Sequence, residues 1–308
     1  MSKHQLNAAE VTTIDLNFLG RPGAIASYLV RHAQGAVLIE SGPGSTLASL
    51  ISGLNANGYQ PADISDVFLT HIHLDHAGAA GWLARQGARI HVHPNGAPHL
   101  LNPEKLLASA ARIYGDQMEL LWGEFLPVPP EKLFVHTDGE IIEVVGLQFR
   151  PLDTPGHADH HFVYLHEDIC FSGDIGGVRM PNTNHLRLPM PPPELNLEKW
   201  RSSLARIEKE RFNRIAPTHF GIFSDPEWHL AALAKAVTAV DAWMASVMPA
   251  NPPVEEINQR LTVWAHQRAI DEGVPEDKLQ AYESANPTWM SGIGIQRYWR
   301  KFRQGQTA

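Results

Sequence analysis

Thr70-His71-Ile72-His73-Leu74-Asp75-His76-Ala77-Gly78 follows a short apolar run at residues 67–69 and precedes a helix-like stretch at residues 77–85. β-Branched and aromatic content makes residues 66–70 read as a buried strand, so the histidine-rich segment is a strand-to-helix loop. Such loops lie at the carboxyl ends of strands, where ligands bind in sheets with helical crossovers. Four metal-competent side chains, His71, His73, Asp75 and His76, fall within six residues there. Imidazole suits zinc, iron and copper, and Asp75 adds a hard anionic oxygen, so the loop reads as part of a first-row metal site.

One loop does not close such a site, because zinc usually takes about four ligands and neighbouring side chains diverge. Three later loops end in a suitable residue after a strand-like run: Asp153-Thr154-Pro155-Gly156-His157, Phe171-Ser172-Gly173-Asp174 and Ile215-Ala216-Pro217-Thr218-His219. Small or turn-forming residues before each ligand let the backbone approach closely and aim the side chain. A lone buried histidine is ordinarily a hydrogen-bonded core residue. An ordered set of such residues in four loops calls for another explanation.

At these positions the sequence resembles the metallo-β-lactamase superfamily, in its glyoxalase II-like metallo-hydrolase range. The family's HxHxDH loop matches His71, His73, Asp75 and His76, and its further ligands match His157, Asp174 and His219. The resemblance implies two divalent metal ions, zinc first, with iron or manganese as the other choices. It places His71, His73 and His157 on one metal and Asp75, His76 and His219 on the other, with Asp174 bridging. The fold it implies is α+β, a four-layer αββα metallo-β-lactamase sandwich, here with a C-terminal helical extension. The motifs cover roughly residues 11–225, so residues 1–225 are taken as the catalytic domain and residues 226–308 as the extension packed on it.

The implied chemistry is hydrolysis of an ester-like bond in a small molecule, a thioester, lactone or relative, by a metal-held hydroxide. Asp174 and Asp75 are the catalytic carboxylates, Asp75 orienting the hydroxide or carrying a proton to the leaving group. The competing reading is a mononuclear-iron persulfide dioxygenase of the same superfamily, which uses two histidines and one aspartate. His71, His157 and Asp174 suit both readings. A metal-free binding protein is disfavoured because every ligand position is kept. Gly177 stands where quorum-signal lactonases typically carry tyrosine, and residues 176–181 do not match the segment that follows the bridging aspartate in glyoxalase II. Both of those substrates are thereby weakened. Asp159-His160-His161, Gly177-Val178-Arg179 and Pro191-Pro192-Pro193-Glu194 look like a hydrolase branch whose motifs imply no particular substrate.

Composition sets outer bounds. With 308 residues, 44% hydrophobic and 19% charged, the chain is globular and long enough to bury a sizeable core. A formal charge of −8 argues against a nucleic-acid partner, which needs a basic footprint. The single cysteine, Cys170, lies in an apolar run and reads as a buried, inert thiol, compatible with a reducing cytoplasm. Residues 1–7 lack an apolar signal core, and the apolar stretch at 230–247 carries Lys235 and Asp241, so no membrane span is expected. The expectation is a cytoplasmic protein acting on a small molecule.

Along the chain, residues 11–19, 25–31 and 36–39 read as a strand meander, and residues 45–55 as a helix. Glu40 either orients a metal-bound histidine or is an ordinary turn residue. His91 and His93 share one face of a strand at 89–93 without a companion carboxylate or cysteine, and are given supporting roles. Residues 94–130 form a largely helical insertion that could roof the site, with Tyr114, Trp122 and Phe125 as substrate-pocket candidates. Residues 141–145 and 147–152 make a hairpin-like pair, and 162–165 and 169–171 the next two strands. His160 and His161 are surplus to the ligand set. Arg179 and Arg187 are candidates for holding a substrate carboxylate. Helices are expected at 196–209, 227–247, 254–272 and 286–302, the tail either covering the site or making a homodimer interface.

Overall fold

The computed structural model describes residues 10–304. It opens with β1 (Val11–Asp15), β2 (Ala26–His32) and β3 (Gly35–Ile39), the expected meander. The first strand is shorter than its pattern, because Asn17 and Leu19 take left-handed angles in a turn at Phe18–Gly20. The Asp15 carboxylate accepts the N–H groups of Asn17 and Gly23 across that turn. Helix α1 (Leu47–Ala56) leads to β4 (Ile64–Phe68), the short α2 (Leu74–Ala77), α3 (Ala80–Gln86) and β5 (Arg89–Val92). The insertion is helical as expected, with α4 (Ala97–Leu101), α5 (Glu104–Tyr114) and α6 (Met118–Trp122). It ends in β6 (Leu133–Val135), an edge strand too short and too exposed to show an alternating pattern.

These strands form one sheet in the order β1-β2-β3-β4-β5-β6, antiparallel at first and parallel from β3 onward. A second sheet is built from β7 (Ile142–Val144), β8 (Leu147–Asp153), β9 (Phe162–His166), β10 (Ile169–Phe171) and, after α7 (Leu197–Ile207), β11 (Arg214–Ala216). Its order is β11-β10-β9-β8-β7, with only β10 and β11 parallel. Tyr28, Ile39 and Phe68 of the first sheet meet Phe149, Tyr164 and Phe171 of the second in a shared core. Phe68 stacks on Phe149 with ring centroids 4.4 Å apart and takes Tyr164 edge-on at 5.1 Å. On the outer faces, Leu50, Leu54 and Leu83 cover the first sheet, and Trp200 and Leu204 the second. Two sheets packed face to face with helices outside give the αββα sandwich.

Beyond residue 225 the chain is helical: α8 (Pro226–Val247), α9 (Val254–Asp271), α10 (Glu276–Ala285) and α11 (Thr288–Phe302). The sequence pattern misses α10, which buries only Leu279 and Tyr282. The tail does not build a core of its own. Leu233, Val237, Met244, Ile257 and Ile295 join Trp200 and Leu204 in one cluster, so the last helices complete the layer that α7 begins. Among the described residues, the segment at α8 is long and apolar enough to cross a membrane. In the fold, however, its Leu233, Val237 and Met244 are buried in this core, and its Asp241 pairs with Arg201 and Arg303.

Candidate metal centre

The four histidine- and aspartate-bearing loops leave the carboxyl ends of β4, β8, β10 and β11 and converge at one edge of the sandwich. Two backbone hydrogen bonds tie the halves together there: Phe162 N–H to the Thr70 carbonyl at 2.7 Å and Ala26 N–H to the Thr218 carbonyl at 2.9 Å. Two glycines allow the close approach. Gly173 has φ near +50°, and a Cβ there would lie 2.5 Å from Thr70 Oγ1. Gly156, at φ near +144°, would place a Cβ 2.6 Å from the backbone of Trp200.

His71 Nε2 and His157 Nε2 each lie 2.9 Å from His73 Nδ1. The far nitrogen of His157, Nδ1, donates to the Pro189 carbonyl at 3.0 Å. That of His71 faces Thr70 Oγ1 at 3.1 Å, a hydroxyl that gives its own proton to Glu40. A neutral imidazole carries one N–H, so the Nε2 atoms of His71 and His157 are bare lone pairs directed at His73. Burial, then the neighbouring imidazoles, hold His71 well below the usual histidine range, which keeps it neutral. Three nitrogens converging with at most one proton among them form a donor set for a cation.

The second group has the same logic. His76 Nδ1 donates to Glu40 Oε1 at 3.0 Å, and His219 Nδ1 donates to the Ala24 carbonyl at 2.7 Å. Their Nε2 atoms face Asp174 Oδ1 at 3.2 and 3.4 Å and Asp75 Oδ2 at 3.6 and 3.4 Å. His76 Nε2 and Asp174 Oδ1 are buried without a hydrogen-bond partner. Asp174 turns its other oxygen, Oδ2, to His157 Nε2 at 3.3 Å, so one carboxylate faces both nitrogen groups. Burial works against ionising Asp75, yet His76 and His219 beside it hold its carboxyl below the usual carboxylate range. Burial likewise opposes charge on His76, but Asp75, Asp174 and Glu40 outweigh it and raise His76 well above its ordinary value. Buried carboxylates facing a buried imidazole nitrogen that has no hydrogen-bond partner favour positive charge between them, and this donor set fits a divalent cation.

Every expected ligand residue is in this cluster: His71, His73, Asp75, His76, His157, Asp174 and His219. Glu40 lies beneath it, fully buried at φ 65°, and is no ordinary turn residue. Its carboxylate accepts from Thr70 N–H at 3.3 Å, from the Thr70 hydroxyl, from His76 Nδ1 and from Thr218 Oγ1 at 3.1 Å. His161 pairs with Thr154 Oγ1 at 2.9 Å and takes the Ile175 N–H, outside the cluster. His160 lines the cavity above it, 3.6 Å from Glu194. His93 faces Asp153, and His91 is held between Asp66 and His136.

The cluster opens into a cavity of about 370 Å³, roofed by α4, α5 and α6 on one side and by the Pro189–Glu194 loop and α11 on the other. Tyr114 and Trp122 line it as expected, whereas Phe125 packs into the core behind the roof. Burial, then the negative charge of Asp75, push the Tyr114 phenol up, so it stays protonated. Arg179 and Arg187 are not at the cavity wall. Arg179 makes a two-pronged pair with Asp225 at 2.7 and 2.8 Å, sandwiched between Phe223 and Trp228. Arg187 is buried against Glu283 and Tyr282. Both guanidinium groups are turned into the protein, Arg179 onto Asp225 and Arg187 through Nη1 onto Glu283, which corrects the expectation that they hold a substrate carboxylate. The cavity cations are instead Lys105 and Arg112 of α5, which the sequence pattern does not single out.

The family model for the metallo-beta-lactamase superfamily matches residues 20–219. The chain belongs to the metallo-β-lactamase superfamily. A metallo-beta-lactamase fold-containing protein of Sulfurisphaera tokodaii is 26% identical over 207 residues, spanning 66% of this chain and 75% of the relative. An atrochrysone carboxyl ACP thioesterase of Aspergillus fumigatus is 30% identical over 163 residues, 50% of this chain and 42% of the relative, so the match spans less than half of that enzyme. Among solved structures, a metallo-beta-lactamase family protein from Thermus thermophilus superposes with a TM-score of 0.66 at 19% identity, over 94% of this chain and 93% of that one. That likeness of fold takes in most of the helical tail as well. The chain has the fold of a metal-dependent hydrolase.

Proposed function

We propose that this protein is a two-metal hydrolase that cleaves acyl thioesters of small molecules. The observation that carries the reading is Asp174, whose two carboxylate oxygens face two separate histidine groups. Asp75, His76 and His219 add a second donor group that a two-histidine, one-aspartate iron site does not require. The thioesterase among the relatives supports the choice of bond.

Two divalent cations held by the two groups would lower the pKa of a shared water toward about 7 and polarise the acyl carbonyl. The residues do the rest. Water adds to the acyl carbon, the C–S bond breaks, and the products are a carboxylic acid and a thiol. Asp75 has Oδ2 turned to His76 and His219, which leaves its other oxygen to take the water's proton and return it to the departing sulfur. Tyr114, protonated and close to Asp75, is placed to donate a hydrogen bond to the substrate. Tyr114 and Trp122, with ring centroids 5.0 Å apart, give the cavity an aromatic wall for an apolar acyl group.

The test is metal content per chain after purification without added metal, with thioester hydrolysis measured before and after chelation. The expected result is about two zinc ions per chain and activity that chelator removes and zinc restores. His219→Ala is expected to retain about one metal and to lose at least about a hundredfold in rate. About one iron per chain, with oxygen uptake on adding a persulfide, would overturn the hydrolase reading.

A further inference from the structure

Helix α5 presents two different stripes to the cavity. Leu106, Ala110 and Ile113 recur at intervals of three and four and form an apolar wall, continued by Trp122 and by Met290 of α11. Lys105, Ser109 and Arg112 recur at four and three and form the adjacent stripe at the cavity mouth. Lys105 and Arg112 are exposed, and among the described residues neither makes an ion pair, although Arg112 Nε donates to the Ala108 carbonyl at 3.2 Å. The acids of the cavity lie elsewhere. Asp75 and Asp174 belong to its floor, and Glu194, on the opposite rim, accepts the Asp159 N–H at 2.8 Å.

This placement matters in a chain of net charge −8, whose long-range field repels anions. Two cations without ion-pair partners on one lip, about two helical turns apart with a hydroxyl midway between them, create a local exception. A neutral apolar ester would use the apolar wall and leave both cations idle. A ligand with an apolar acyl group and an anion on its leaving side would use both stripes, with its carbonyl over the metal floor.

We propose that the preferred substrate is an acyl thioester whose thiol carrier bears a carboxylate or phosphate, held at the cavity mouth by Lys105, Ser109 and Arg112. This rests on the hydrolase reading above and names the class of leaving group. Because Lys105 and Arg112 are exposed, the effect belongs to KM and to selectivity, and salt weakens it.

The experiment compares three thioesters of one acyl chain, decanoate: the coenzyme A ester, the 3-mercaptopropionate ester and the neutral N-acetylcysteamine ester. The expected result is a higher kcat/KM for the anionic esters over the neutral one by about tenfold at low salt. In the K105E/R112E double variant that ratio falls to about one. Preference for the coenzyme A ester alone identifies phosphate as the recognised anion, and equal preference for the mercaptopropionate ester identifies carboxylate. An unchanged ratio in the variant, or no preference in the parent protein, overturns the proposal. Binding of the non-hydrolysable decyl thioethers of the same three thiols is read in parallel by tryptophan fluorescence. If none of the thioesters is cleaved, the hydrolase reading fails by itself, while the thioether affinities still decide whether the lip selects anions.

Discussion

Gly156 shows how little room the site leaves. Its backbone passes so close to α7 that a methyl group would meet the Trp200 N and Cα atoms at 2.6 Å, and its positive φ strains any L side chain. Gly156→Ala should therefore push His157 out of register while the distant helices stay folded. The expected outcome is loss of about one metal per chain by elemental analysis with retained far-ultraviolet circular dichroism. Asp66 gives a residue-scale prediction about stability. Burial alone would raise its pKa, but hydrogen bonds from His91 and Arg89 hold it at about 2 against an ordinary 3.8. A depressed carboxylate stabilises the folded state above its unfolded pKa, and that contribution fades as pH falls from about 4 to about 2. It amounts to about 2 kcal/mol at neutral pH. Denaturant midpoints across that window should fall in the parent protein and fall less in Asp66→Asn.

Elements differ in how openly the sequence announces them. The loop from Thr70 to Gly78 was legible because metal ligands are chemically rare and their spacing is tight, and β2, β3, β9 and β10 because whole runs of apolar residues are buried. β6 and α10 were not, since each buries too little apolar surface to leave a period. Arg179 and Arg187 misled for a related reason: an arginine in a loop beside an active site has the same letter whether it meets a ligand or a partner contributed by the distant tail. Here the partners are Asp225, at the start of α8, and Glu283 of the tail. Glu283 also takes the Thr288 N–H at 3.0 Å at the start of α11 and His266 Nε2 at 3.1 Å from α9. Removing one member of a buried pair strands the other charge, so Glu283→Ala should cost about 3–5 kcal/mol in denaturant unfolding. Replacing the pair by Arg187→Met with Glu283→Leu should recover much of that loss.

At the scale of the whole molecule, the first sheet supplies His71, His73, Asp75 and His76, and the second supplies His157, Asp174 and His219. Glu40 spans the same seam, reaching Thr70 and His76 on one side and Thr218 on the other. Neither half holds a complete donor set, so the full site comes into being only when the two sheets have docked through Phe68, Phe149 and Tyr164. That order of events separates two rates. An interaction formed after the folding barrier slows the return across it without hastening the way in. A metal ion bound across the seam should accordingly leave the refolding rate of this protein almost unchanged while lengthening the lifetime of the native state, which stopped-flow refolding and unfolding with and without chelator would measure directly. On that expectation, a metal at the seam would act as a latch, holding the two sheets together once docked without guiding the chain into place.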